Sequence, residues 1–261
     1  MVNLCHPDAT KSCAACCGLY NAPVATRDVL HDRLAVRTSL FRCVVRSPDA
    51  IHAFEQDIVA REGTESLDAD IHVCRFVGFL DPLCRTVGCL LHPSALGNHG
   101  VDLRGLCYYG SLACKTFFCD AWRAIPERHQ VMLADLIDDW HLWGLVATDV
   151  DYVSSLFGLL ESAINAPLDP AVLKISRARD ILIKMLSWKN EWPLAQDSQR
   201  RVSRYHCHPR ADFQSANGDE QLHAMVECLN ATFGVEIPFP AAASAIKCSV
   251  QAFAALHTSY S

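Results

Sequence analysis

The sequence lacks the features of membrane-bound, exported and nucleotide-hydrolysing proteins. No run approaches the roughly 18 apolar residues that a membrane helix needs. The first five residues have neither the basic start nor the apolar stretch of a signal peptide. No Gly-x-Gly-x-x-Gly follows a predicted strand and no Gly-x-x-x-x-Gly-Lys occurs, so no phosphate-binding loop is recognisable. These absences predict a cytoplasmic protein that does not hydrolyse nucleotides.

Charge is also scarce. Charged residues make up 20% of the chain and the formal net charge is -6, which argues against broad contact with nucleic-acid phosphates. Hydrophobic residues make up 51% of the 261 positions, enough to bury the core of one large domain or two modest ones. The chain has no internal repeat and no low-complexity segment.

Cysteine, by contrast, is abundant and unevenly distributed. Eleven of the 14 cysteines lie in the first 119 residues, and the run Cys13-Ala14-Ala15-Cys16-Cys17 holds three of them. In a reducing cytosol such thiols stay free or bind metal rather than forming disulfides. Soft sulfur ligands select zinc and iron–sulfur clusters. The pattern therefore predicts a metal site in the N-terminal half, and the adjacent Cys16 and Cys17 suggest more than one centre or a cluster.

Helical patterns dominate the second half of the chain. In the first half, one helix is predicted from near Thr26 and another from Ser47-Pro48-Asp49 to about Arg61, since serine caps helices and proline favours the first helical position. Residues 62–108 read as a loop-rich stretch whose best strand candidate is 76–79. Further on, predicted helices start at Pro126 (running through Trp143), at a cap formed by Asp149 or Asp151, at Asp169-Pro170, and over 220–233 and 241–256.

The predicted fold class is mainly α. A loop-rich metal-binding N-terminal module with two helices, residues 1–124, is followed by a C-terminal helical bundle, residues 125–261. A polar linker is predicted at about 195–218.

The order of the cysteine motifs resembles the YkgJ-type family of cysteine-cluster proteins, described as zinc- or iron-chelating or iron–sulfur domains. Cys13-Ala14-Ala15-Cys16-Cys17-Gly18 is similar to the first element of that pattern, Cys74-Arg75-Phe76 to the second, and Gly88-Cys89-Leu90-Leu91-His92-Pro93 to the third. Two positions depart from it: Thr10 stands where family members often have a cysteine, and His92 where an arginine commonly precedes the proline. The resemblance covers roughly residues 5–120.

The resemblance implies a set of metal ligands but does not indicate which metal they bind. The implied ligands are Cys13, Cys16, Cys17, Cys74, Cys89, Cys114 and Cys119. Cys5 would make eight, enough for two four-coordinate centres holding an iron–sulfur cluster or zinc. Cys84 and Cys107 are alternative ligands, and Cys84 could take the role of Cys89.

For the remaining thiols and polar residues, packing in the core or exposure to solvent is the main prediction. Cys43, Cys228 and Cys248 are predicted to pack in the core. His92 and His99 lie near the thiols and could ligate metal or orient a ligand, although loop histidines usually face solvent. Asp138 and Asp139, beside His141, are predicted to form a solvated helix face. The tract His206-Cys207-His208, with its neighbouring arginines, reads as a basic surface loop at 200–210 or as a docking site for an acidic partner or phosphate.

The cysteine motifs and the predicted fold are compatible with three functions. The preferred one is a cytosolic metalloprotein, with iron–sulfur oxidoreductase activity as one option. The second is an adaptor that zinc stabilises and that meets a protein partner through the helical domain or the basic loop. The third is a thiol–disulfide enzyme using Cys13 and Cys16, which the short preceding segment disfavours because such motifs open a helix after a strand.

Overall fold

The computed structural model describes residues 2–110, 112–117, 119–196, 198 and 218–260, with side chains described to residue 256. Within these residues the protein is mainly α, as predicted. The helices are α1 (Arg27–Arg42), α2 (Pro48–Glu62), α3 (Ala121–Ala124), α4 (Glu127–Leu136), α5 (Trp140–Ala147), α6 (Val150–Ile164), α7 (Ser176–Ser187), α8 (Gly218–Phe233) and α9 (Phe239–Tyr260). Most of the predicted linker at 195–218, with the basic loop and its His206-Cys207-His208 tract, lies outside the described residues.

The two N-terminal helices begin where the sequence predicts. Thr26 immediately precedes α1. Ser47 caps α2 by accepting a hydrogen bond from the backbone N–H of Ala50, and Pro48 occupies the first helical position.

Residues 62–108 contain a short β-hairpin as well as loops. Strands β1 (Val77–Phe79) and β2 (Val87–Cys89) are antiparallel, with Val77 opposite Cys89. The first strand was predicted and the second was not. The second escaped notice because three residues, one of them glycine, show too little alternation to reveal a strand.

The predicted helix from Pro126 through Trp143 is two helices. Helix α4 ends at Leu136, and Asp139 caps α5 by accepting hydrogen bonds from the backbone N–H groups of His141 and Leu142. Asp139 also pairs with Arg27 at 2.8 Å. The prediction that Asp139 lies on a solvated helix face is therefore wrong. Its short carboxylate instead accepts hydrogen bonds from backbone N–H groups that have no partner within the first turn of α5. Asp149 caps α6, as predicted.

Buried apolar side chains form two clusters. The front cluster draws on residues 14–107 together with Trp140 and Leu145 of α5. The second cluster draws on residues 121–253 together with Leu4. Each cluster thus includes residues from the other half of the sequence, and the division of the chain at residue 124 stays a prediction.

Helix α9 corrects the expectation that no run could cross a membrane. Its segment Phe239–Leu256 has a mean hydropathy of 1.3 and, by length and composition alone, is long and apolar enough to cross a membrane. Lys247 is the one charged residue in it. The side chains of Ala242, Ile246 and Phe253 are buried in the second cluster. The segment therefore packs as a helix of the bundle core, along one face.

Candidate metal centre

Four thiols from distant parts of the chain line one small cavity. These are Cys5, Cys13, Cys16 and Cys119, which form what we call the first thiol group. The cavity measures about 20 Å³ and is completed by Leu4, Phe117, Ala147 and Thr148. That volume suits a single water-sized occupant.

Backbone contacts bring the first thiol group together. The N–H of Cys13 donates to the carbonyl of Cys5 at 2.9 Å. The indole N–H of Trp143 donates to the carbonyl of Leu4 at 3.0 Å. The N-terminal segment is therefore tied both to the cysteine run and to α5, which places Cys5 beside Cys13.

Five more cysteines form a second thiol group, whose members act electrostatically on one another, and Cys16 of the first group also acts on two of them, Cys17 and Cys114. The five are Cys17, Cys74, Cys89, Cys107 and Cys114. The N–H of Cys74 donates to the carbonyl of Cys17 at 2.9 Å. The hairpin then returns Cys89 to the end of the sheet where Cys74 enters it. The thiol of Cys107 donates to the carbonyl of Arg104 at 3.3 Å, and the side chain of Cys107 favours the thiolate form of Cys114.

Two glycines permit the close turns around these cysteines. Gly18 has φ +73°, and a Cβ there would lie 1.9 Å from the carbonyl oxygen of His72. At Gly110 a Cβ would lie 1.5 Å from the carbonyl oxygen of Arg104. Any larger residue would push the chain away. Glycine at these positions therefore allows the segments that carry Cys17 and Cys107 to pack against neighbouring backbone.

A backbone amide points at the sulfur of Cys13, to which the N–H of Ala15 donates at 3.4 Å. Nearby backbone N–H groups also favour the thiolate form of Cys74, Cys89, Cys107 and Cys119, and so partly oppose the effect of burial on the pKa of these thiols. A neutral thiol is a weak acceptor. Donors placed in this way stabilise sulfur as a thiolate, the form that binds metal.

Burial and mutual repulsion oppose ionisation of most of these thiols. Burial, reinforced by Cys16 and Cys119, raises the pKa of Cys5 to about 11. Burial raises the pKa of Cys89 to about 12, with the charges of Cys107 and Cys114 adding to the effect. The pKa of Cys16 is lowered instead, because the thiol of Cys17 donates to its sulfur. Several thiolates can therefore exist together in this region only if a cation compensates their charge.

Cys107 and Cys84, the two alternative ligands, differ in their position relative to the second thiol group. Cys107 is buried inside the second thiol group. Cys84 lies in the hairpin turn at φ +55°, on the far side of both strands from Cys74 and Cys89. It therefore cannot replace Cys89. Gly110, three residues after Cys107, was the available sign of a tight turn there.

Three cysteines were predicted to pack in the core, and one does. Cys228 is buried in the second cluster, as predicted. Cys43 and Cys248 are exposed, so the prediction is wrong for them. Cys43 directly follows α1, and Cys248 lies on the solvent-facing side of α9. Hydrophobicity alone did not reveal which side of a helix each occupies.

Neither nearby histidine lines the cavity of the first group. The Nδ1 atom of His92 hydrogen bonds to Ser94 Oγ at 2.7 Å, and burial lowers the pKa of His92. His99 occupies a loop with φ +51°.

None of the 13 cysteines in the described part of the chain forms a disulfide. Within that part, no group of three or more His, Cys, Asp or Glu side chains is arranged to hold a metal ion. The two thiol groups are thus defined by shared surroundings, mutual charge effects and hydrogen bonds. Their use as ligands is a proposal.

No family model, curated protein or solved structure matches the chain. The resemblance to the YkgJ-type family therefore stays a prediction, supported by the cysteine motifs alone.

Proposed function

We propose that the protein is a cytoplasmic metalloprotein that binds metal through its two groups of cysteine thiolates. The observation that carries this proposal is that four thiols from distant parts of the chain, those of Cys5, Cys13, Cys16 and Cys119, line one small cavity. The backbone N–H of Ala15, which donates to the sulfur of Cys13, would help to offset the negative charge of the loaded site. The free thiols support a reducing compartment.

The first thiol group has the four ligands that a structural zinc ion takes, and its cavity of about 20 Å³ suits a single ion rather than a four-iron cluster. The second has five thiols for four positions. Of these, Cys107 is buried and its thiol donates to the carbonyl of Arg104 at 3.3 Å, whereas Cys114 is exposed. We assign Cys17, Cys74, Cys89 and Cys107 as its ligands, with Cys114 beside them. Zinc would fix the fold, and an iron–sulfur cluster would add one-electron redox chemistry.

A zinc-stabilised adaptor is the second candidate function. Exposed apolar side chains concentrate in the segment that carries the last ligands. They are Leu96, Val101, Leu106, Tyr108, Tyr109, Leu112 and Phe117. Exposed apolar patches often mark interaction sites. On this alternative the metal would stabilise a surface that meets a protein partner, and the helical domain or the loop at 200–210 would add to that surface.

A thiol–disulfide enzyme has less support. Cys16 lies in a single 3₁₀ turn, Ala15–Cys17, and no strand precedes it in the described residues. The helix N-terminus that lowers the pKa of an exchanging cysteine is therefore not part of this motif.

Anaerobic purification followed by an absorption spectrum and elemental analysis tests the proposal. Brown protein with several irons per chain supports iron–sulfur clusters. Colourless protein with one or two zinc ions supports the zinc alternatives. A folded protein, purified anaerobically, that retains neither metal contradicts the proposal.

A further inference from the structure

Two arginines each hold the backbone of a cysteine in the second thiol group. The Nη1 atom of Arg37 donates to the carbonyl oxygen of Cys74 at 3.1 Å. The Nη1 atom of Arg104 donates to the carbonyl oxygen of Cys114, also at 3.1 Å. In the described part of the chain, no lysine or arginine side chain makes such a bond to a cysteine of the first thiol group. The two groups therefore differ in these guanidinium contacts, since the buried Lys11, two residues before Cys13, is paired with Asp8 instead.

Arg37 belongs to a cluster with more positive than negative charge. Its side chain is 2% exposed, and its Nε and Nη2 atoms donate to the carboxylate of Glu62 at 2.7 and 2.6 Å. Arg33 and Arg75 pair with the same carboxylate at 3.5 and 3.3 Å. One carboxylate thus faces three guanidinium groups. The excess positive charge lies beside the chain segment that carries Cys74.

Arg104 also belongs to a cluster with more positive than negative charge. It pairs with Asp102 at 2.9 Å, and Lys115 pairs with the same carboxylate at 3.4 Å. The charge of Arg104 also acts on the thiols of Cys89 and Cys114.

Acidic residues act on both groups. Glu55 raises the pKa of Cys107 in the second group, and Asp120 raises that of Cys119 in the first. Each group therefore has one such carboxylate, and the arginine contacts to the backbone of Cys74 and Cys114 are what distinguishes the second group.

We propose that the second thiol group binds a divalent metal ion more tightly than the first, because Arg37 and Arg104 stabilise its loaded form. This inference rests on the proposed function. A divalent ion with four thiolates carries a net charge of about −2. Nearby guanidinium groups stabilise that charge in a partly buried site, where water screens it poorly.

Variants that keep one thiol group allow the two affinities to be measured separately. Cys5→Ser with Cys119→Ser leaves the second group intact, and Cys74→Ser with Cys89→Ser leaves the first. Each full-length chain is titrated anaerobically with Co²⁺ against a competing chelator, and cobalt–thiolate absorption is followed. We expect the second group to bind about tenfold more tightly or better, the lower end of the effect of outer-shell partners. Equal affinities, or the reverse order, overturn the inference.

Arg104→Gln tests the cause. Arg104 is preferable to Arg37, whose burial makes its replacement a risk to folding. We expect Arg104→Gln to weaken Co²⁺ binding about tenfold in the protein that keeps the second group, and to leave the other protein unchanged. The matched control is Arg61→Gln, since Arg61 pairs with Asp57 on the surface of α2. Equal effects of Arg104→Gln on both proteins, or none on either, contradict the assignment.

The difference in metal affinity between the two thiol groups can also be tested without cysteine substitutions. In the otherwise native chain, Co²⁺ release to a chelator should occur in two steps, and Arg104→Gln should accelerate the slower one. Two bound ions that leave in one step overturn this inference while preserving the proposed function. Failure of the native folded chain to give any cobalt–thiolate absorption contradicts the proposed function itself.

Discussion

Cys16 and Cys17 are adjacent in the chain, yet Cys16 lines the cavity of the first thiol group, whereas the backbone carbonyl of Cys17 accepts a hydrogen bond from the N–H of Cys74 at 2.9 Å. The other thiols at that cavity are Cys5, Cys13 and Cys119. The neighbouring Cys16 and burial raise the pKa of Cys17, and the charges of Cys74 and Cys89 add to the effect. Both residues lie in a 3₁₀ turn, in which successive side chains point about 120° apart. One tight turn can therefore supply a ligand to each of two adjacent centres.

This arrangement predicts that Cys16→Ser and Cys17→Ser remove different metal ions. Each substitution deletes one thiolate from one four-ligand centre, so each should lower the bound metal by about half. Elemental analysis of the anaerobically purified variants measures this. The exposed Cys43 provides the control, and Cys43→Ser should retain the native content. Native stoichiometry in both test variants would remove these residues from the site.

Gly18→Ala should destabilise the protein more than Gly100→Ala. Both glycines have positive φ, but a Cβ at Gly18 would clash with the carbonyl of His72, whereas Gly100 faces open space. A strained φ costs about 1–3 kcal/mol, and the steric clash adds to this at Gly18. Urea unfolding followed by circular dichroism compares the two. Equal losses of stability would show that the contact with His72 yields easily.

The buried ion pair of the helical bundle should prove strongly interdependent. Lys189 Nζ contacts Asp149 Oδ2 at 2.7 Å, and both side chains are at most 1% exposed. Asp149→Asn keeps a residue able to cap α6 but leaves the lysine charge without its counter-ion. Breaking a buried pair in this way costs about 3–5 kcal/mol.

Adding Lys189→Met to Asp149→Asn should recover much of that loss, because the uncompensated charge is then removed. The free energy of unfolding of the native protein, both single variants and the double variant gives the interaction energy. Additive losses would contradict an interdependent pair.

Acid should weaken the packing of α4 against α6 through His129. Burial lowers the pKa of this imidazole below its ordinary value of 6.5, although its contact with Glu161 at 3.1 Å partly opposes the shift. Between the folded pKa and 6.5, the unfolded chain binds a proton that the folded protein does not. Stability is therefore lost as pH falls through this window.

His129→Gln should reduce the acid-induced loss of stability, since glutamine does not titrate and can still reach Glu161. The measurement is the unfolding free energy of variant and native protein at pH values above and below 6.5. Any release of metal in acid affects both proteins alike. A variant that loses as much stability as the native protein would exclude His129 as the source.

Metal removal should loosen residues 1–120 more than the helical bundle. The proposed ligands lie at position 119 or earlier, and metal-bound loops have little other regular structure to hold them. Hydrogen exchange before and after chelation resolves the two regions. A uniform change along the chain would count against the predicted two-part organisation.

Local sequence determined much of the secondary structure. Ser47-Pro48 and Asp149 start helices because their side chains and backbone geometry satisfy helix termini within a few residues. The same local chemistry acts at Asp139, where the apolar stripe from Pro126 suggested one continuous helix. Periodicity was the weaker signal there, since a capping carboxylate can interrupt a stripe without changing its spacing.

The sequence by itself determined that cysteine is concentrated in the front half and that Cys16 and Cys17 are adjacent. Only the tertiary structure decided which thiols meet. It brought Cys107 into the second group, left Cys84 at the far end of the hairpin, and placed Arg37 and Arg104 against that group. Thiols of identical chemistry differ in the backbone that carries them, and the path of that backbone depends on contacts between residues far apart in the chain.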